Sequence, residues 1–178
     1  MSDSMSMQEP TGDGETLADL ARAFVRDPGE RTLASLRHAI LLDPGYDPLV
    51  PVSGTAAGMT GPRELIKAFG ARQPSLLLSP SAHAMLSRAF AEIGEESSAK
   101  VESLLAELSL EALRSSGDGT HESPYRVLRV EDEYDLLAAE GRRSVRQVDR
   151  GDRDVHTLDD GTTREFLLMW RTGAGLTG

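Results

Sequence analysis

Four histidines, His38, His83, His121 and His156, are the side chains best suited to acid–base or metal chemistry near neutral pH. His121 follows the turn-forming Gly117-Asp118-Gly119, and His156 stands two residues after Asp154 in a stretch that reads as a strand. Two imidazoles with Asp118 or Asp154 as carboxylate partner make a set that would hold a divalent ion or act as an acid–base pair. The same letters also spell a turn aspartate and a solvent-facing strand histidine, and the sequence leaves both readings open. His38 and His83 have no second ligand three or four residues away on the same helix face and read as surface or core histidines. Ser87, one turn beyond His83, is placed to hydrogen-bond it.

Other short motifs lack their companions. Ser97-Ser98-Ala99-Lys100 spells the Ser-x-x-Lys of serine β-lactamases, but the partner motifs need asparagine, which this chain does not contain. No Gly-x-Ser-x-Gly elbow is present. Gly117-Asp118-Gly119 has neither the lysine nor the following helix of a phosphate-cradling loop. Asp149-Arg150-Gly151-Asp152-Arg153-Asp154 lacks the late glutamate of a calcium-binding EF-hand loop and reads as a salt-bridged hairpin turn. Its arginines, with Arg142, Arg143 and Arg146, are interrupted by acids and have no interleaved aromatic for base stacking.

Composition narrows the classes further. A chain of 178 residues with net charge −10 is a poor default partner for nucleic acid, whose phosphates need clustered cations. The absence of cysteine excludes disulfides and thiolate-held zinc. No apolar run approaches the roughly 20 residues that cross a bilayer, so a membrane partner is not expected. Neither a basic n-region nor an apolar stretch opens the chain, and the reading is a cytoplasmic protein. The sequence implies no cofactor and assigns no metal site. Only Lys67 and Lys100 are lysines, and every other basic residue is arginine.

Positioning these side chains falls to a helical part followed by a mixed part. Residues 1–14 are rich in Ser, Met, Gly and Asp without periodicity and read as a disordered leader. Leu17, Leu20, Ala21 and Phe24 predict a first helix, and Leu33, Leu36 and Ile40 a second. Residues 49–59 read as a linker or surface loop. Thr60 is expected to cap a third helix carrying Leu65, Ile66 and Phe69. Ser79-Pro80 starts a stronger helix with Ala82, Leu86, Ala89 and Phe90 on one stripe, and another carries Val101 to Ala112. Beyond Gly117, Tyr125, Val127 and Val130 form a strand-like run, and Glu131-Asp132-Glu133 suits the start of a helix with Tyr134, Leu137 and Ala138 as its apolar face. Three strands follow, over 143–149, 154–158 and 163–171, and in the last Phe166, Leu168 and Trp170 alternate with Glu165, Leu167 and Met169. Tyr134 and Trp170 read as core.

The segment from Ser79 to Gly94, with small Ala82 and Ala89 against Leu86 and Phe90, resembles the opening helix of a tetratricopeptide repeat. A longer resemblance runs from about Leu36 to Trp170. It rests on Leu42-Asp43-Pro44-Gly45-Tyr46-Asp47-Pro48, the following helix pair, Ser116-Gly117-Asp118-Gly119, Ser123-Pro124-Tyr125-Arg126-Val127 and Glu133-Tyr134. These residues are similar to an uncharacterised bacterial family, domain of unknown function forty-nine nineteen. The resemblance implies tetratricopeptide-like helices followed by a small β-rich module, and it implies no reaction, substrate or catalytic residue.

The expectation is an α+β chain: a tetratricopeptide-like helical region over 15–116, a module of one helix and about four strands over 117–172, and a disordered tail over 173–178. Stacked helices of this kind present concave surfaces, so the leading functional expectation is a non-catalytic binding or adaptor protein with a protein partner. The alternative is a small enzyme or a ligand- or metal-binding protein with its site near His121 and His156.

Overall fold

The computed structural model describes residues 15–173. The leader expected over 1–14 and, apart from Gly173, the tail expected over 173–178 lie outside them. Within them the architecture is α+β, with helices α1 (Leu17–Arg26), α2 (Glu30–Leu42), α3 (Val52–Ala56), α4 (Pro62–Gly70), α5 (Pro80–Glu92) and α6 (Glu96–Arg114) leading. Strand β1 (Tyr125–Val127), helix α7 (Val130–Ala139) and strands β2 (Ser144–Asp149), β3 (Arg153–Leu158) and β4 (Thr163–Leu168) follow, and a single 3-10 turn spans Met169–Arg171.

Local chemistry accounts for the helix starts. Thr16 caps α1 through a reciprocal box with Asp19, whose carboxyl is held down to about 2 by the Thr16 hydroxyl and then by Arg22. Ser79 caps α5, its hydroxyl accepting the Ala82 amide at 3.1 Å, with Pro80 in the first helical position. Helix α4 begins differently from expectation: Gly61 is its cap, while the Thr60 amide and hydroxyl both donate to Glu64 at 3.0 Å.

The four strands form one sheet in the order β1-β4-β3-β2, with β1 parallel to β4 and the other pairs antiparallel. Along a strand, side chains alternate between faces. Tyr125, Val127, Leu158, Phe166 and Leu168 share the face that packs on Leu136 and Leu137 of α7 and on Leu113 of α6. A second cluster joins Phe24, Leu33, Leu36 and Ile40 to Leu78, Ala112 and Leu128, and a third joins Val50 and Val52 to Phe69, Leu76, Ala82 and Leu86.

Several expectations are corrected. Residues 49–59 are not a surface loop, because Val50 and Val52 are buried and Val52 opens helix α3. Val130 opens α7 instead of extending β1, since the Asp132 carboxylate accepts the backbone amides of Leu128 and Arg129 and caps a helix there. The inward stripe of α7 is then Asp132, Glu133, Leu136 and Leu137, which leaves Tyr134 43% exposed and outside the core. Trp170 falls in the 3-10 turn beyond β4 and is half-buried against the sheet cluster. His83 bonds Glu102 at 2.7 Å and the Leu77 carbonyl at 2.9 Å, while Ser87 donates to the Ala99 carbonyl instead.

Arg129 ties the sheet-bearing part to the helices. Its side chain is 1% exposed and donates to Asp132 at 2.6 Å, to the Ser79 hydroxyl at 2.6 Å and to the Val50 carbonyl at 3.2 Å. The Tyr46 hydroxyl adds a bond to the Leu128 carbonyl.

Candidate functional site

The two histidines singled out from the sequence lie on opposite faces of the sheet. Opposite Asp154 in the β3–β4 register stands Phe166, and opposite Val155 stands Glu165. Asp154 and His156 therefore face the core under α7, while Glu165 and Arg153 face outward. His121 is on the outward side, its Nδ1 3.0 Å from Glu165, with Arg153 donating to Glu165 at 3.1 Å and to the His121 carbonyl at 2.7 Å. Burial raises the Glu165 carboxyl, but the bonds from His121 and Arg153 outweigh it and hold the group below its usual range.

Asp118 joins neither histidine. Its carboxylate accepts the Thr120 amide at 2.9 Å, while the amides of Asp118 and Gly119 donate to the Ser123 carbonyl. The Gly-Asp-Gly turn is explained by space and conformation. A Cβ on Gly117 would meet the Pro124 carbonyl oxygen at 2.4 Å, and Gly119 has φ of +76° with the Tyr125 ring packed against it. Four candidates thus divide into an outward pair and turn around Glu165, and an inward pair beneath α7.

The inward pair belongs to a buried relay. His156, with no exposed surface, sits 2.6 Å by its Nε2 from Glu133 and 2.9 Å by its Nδ1 from the Ser144 hydroxyl. Burial, and then the neighbouring Asp154 carboxylate, push Glu133 up to about 9, and burial holds His156 below its ordinary value. At neutral pH the proton therefore resides on Glu133. Glu133 shares a hydrogen bond with Nε2, Nδ1 shares one with the Ser144 hydroxyl, and Ser144 donates to the Arg146 carbonyl at 3.3 Å. Tyr134 and Phe166 rings close edge-on around the imidazole at 5.3 and 5.2 Å. Asp154 accepts from Gln147 at 2.7 Å and adjoins the Glu133 carboxyl, so the two acids lie side by side beneath α7. The serine–imidazole–carboxyl order is that of an activated nucleophile, with the imidazole and the carboxyl both shut off from solvent beneath α7. This arrangement positions strand β2 on α7. Among the described residues no group of three or more His, Asp or Glu is arranged to hold a metal ion.

A separate concavity of about 760 Å³ opens in the helical part. Helix α2 supplies Leu33, Ala34, Arg37 and His38, the C-terminal end of α6 supplies Leu108 and Ala112, and Arg126 of β1 and Met169 complete the walls. Arg37 is the unusual member, because its side chain falls on the inward stripe with Leu33, Leu36 and Ile40 and is only 8% exposed. One hydrogen bond is made by its guanidinium, to the Ala112 carbonyl at 2.9 Å. Burial and the adjacent Arg126 bring Arg37 down to about 10. The sequence carried a signal for it: a charged residue at an inward position of an apolar helix repeat. That signal lay outside the motif-based reading, which looked for catalytic and metal-binding types.

No family model, no curated protein and no solved structure matches this chain. No helix among the described residues is long and apolar enough to cross a membrane.

Proposed function

We propose that the protein is a non-catalytic binding protein that holds a protein partner on its helical half, with the cleft between α2 and α6 as the contact surface. The observation that carries this reading is the cleft itself. At about 760 Å³ it is of the size that takes a side-chain cluster or a short segment, and apolar Leu33, Leu41, Leu108 and Met169 alternate with polar groups along its walls. Apolar contact supplies affinity in such a site and a few placed polar groups supply orientation.

A photo-reactive amino acid at Ala34, on the exposed lip of the cleft, tests the reading in cells. The expected result is a discrete protein adduct that is absent when the same group replaces Lys100, an exposed α6 residue outside the cleft. Equal adduct patterns from both positions, or none from Ala34, overturn it.

A further inference from the structure

The cleft contains two arginines and no acid paired to either. Arg37 is more than nine-tenths buried, yet no carboxylate among the described residues lies within ion-pairing distance of it. Arg126 lines the same wall and is likewise without an ion pair or side-chain hydrogen bond among the described residues. Asp132 is the acid that acts on Arg37, and it is already bound to Arg129 at 2.6 Å. The buried Ser109 hydroxyl, which lines a small adjoining cavity together with Arg37 and Arg126, has no hydrogen-bond partner among the described residues. Exposed arginines are solvated with or without an acid, as Arg22 and Arg171 with one and Arg88 and Arg146 without one show, but Arg37 is shut away from water and has neither an acid nor full solvation. A buried cation left uncompensated beside a second cation is unfavourable by itself and becomes favourable when an anion enters.

We infer that Arg37 and Arg126 are an anion receptor in this cleft, and that the partner inserts a carboxylate flanked by apolar groups. The inference rests on the reading of the cleft as a binding surface. A guanidinium pair matches the planar, two-oxygen geometry of a carboxylate. Leu33, Leu41, Leu108 and Met169 then receive the apolar neighbours of the carboxylate. Either a chain terminus or an Asp or Glu side chain would supply this chemistry.

Titration of the full, isotopically labelled protein with three small probes separates the possibilities. N-acetylleucine presents a terminal carboxylate beside an apolar group, N-acetylglutamate α-amide presents a side-chain carboxylate, and N-acetylleucinamide presents no charge. At millimolar concentrations at least one acid is expected to shift the guanidinium Nε–H signals of Arg37 and Arg126, and the neutral amide is expected to leave them in place. The stronger of the two acids identifies the source. Arg126→Gln, at an exposed position, weakens that binding about tenfold, the loss of one charge-assisted hydrogen bond. Arg146→Gln, which removes an exposed arginine of β2 outside the cleft, leaves it unchanged. Acid and amide acting alike, neither acid acting, or inorganic phosphate acting at lower concentration than both acids overturns the carboxylate receptor. A cross-link from Ala34 that persists undiminished in Arg126→Gln sinks this inference and leaves the binding reading standing, whereas loss of the Ala34 cross-link in the unaltered chain sinks the reading itself.

Discussion

At the scale of single residues, the Glu133–His156 pair makes a prediction about pH. Take the ordinary values of 4.5 for the carboxyl and 6.5 for the imidazole as those of the unfolded chain. Between them the unfolded pair carries one proton, on His156, and the folded pair also carries one, on Glu133. In that window the raised carboxyl and the lowered imidazole act on stability in opposite senses. Above 6.5 the unfolded pair is bare, while folded Glu133 keeps its proton until about 9, so stability falls as pH rises through that window. On the acid side burial makes the folded imidazole harder to protonate than the unfolded one, so His156 works against stability as pH falls through its ordinary value. Each limb has a slope of at most about 1.4 kcal/mol per pH unit. Glu133→Gln retains an N–H donor to Nε2 and removes the carboxyl titration, so the alkaline limb disappears while the loss below the imidazole value remains. Urea denaturation of both proteins from about pH 5 to about 9 checks this. Parallel curves for the two across the alkaline range would show that Glu133 enters the fold ionised.

At the scale of elements, what was legible depended on whether the partner lay nearby in the chain. Ser79-Pro80 announces α5 because cap and first turn are local, and the alternation of Phe166 and Leu168 announces β4 for the same reason. His156 was not legible, because Glu133 lies 23 residues earlier on another element. Its one clue is parity: Asp154 and His156 share the face of Leu158. Residues Glu131 to Glu133 invited a helix-dipole reading, and α7 does begin there. The capping by Asp132, however, rotates Glu133 inward and Tyr134 outward, and nothing in the local letters sets that phase. Arg129 stands at the same junction. Arg129→Met leaves Asp132 buried without its cation and is expected to cost about 3–5 kcal/mol in urea denaturation. Adding Asp132→Asn keeps a capping oxygen and removes the stranded charge, so the double variant is more stable than Arg129→Met alone; an additive further loss would assign the bond no coupling. Gly117→Ala presses a methyl group onto two backbone carbonyls and is expected to cost about 1–3 kcal/mol by the same measurement.

At the scale of the whole molecule, the question is whether the helices and the sheet stand or fall together. Their clusters interlock through residues that cross over: Leu113 of α6 lies in the sheet cluster, and Leu128, just beyond β1, lies in the cluster of α1 and α2. Arg129 reaches back to Val50 and Ser79, the Glu131 carboxylate accepts the Val52 amide at 2.5 Å, and Asp135 accepts the Ser81 hydroxyl at 2.8 Å. Cutting between them would therefore expose apolar surface on both sides and strand buried charges at the seam. The cleft depends on the same seam, since its walls come from α2 and α6 on one side and from Arg126 and Met169 on the other. The chain provides its own pair of reporters. Trp170, the single tryptophan, packs on the sheet cluster, while far-ultraviolet dichroism at helix wavelengths is dominated by the six helices that precede β1. One transition in urea with coincident midpoints by both signals is the expected outcome. If tryptophan fluorescence changes at a lower urea concentration than helical dichroism, the sheet-bearing part melts away from intact helices. The wall carrying Arg126 and Met169 would then be lost before the helices are, and anion binding would follow the tryptophan curve instead of the helical one.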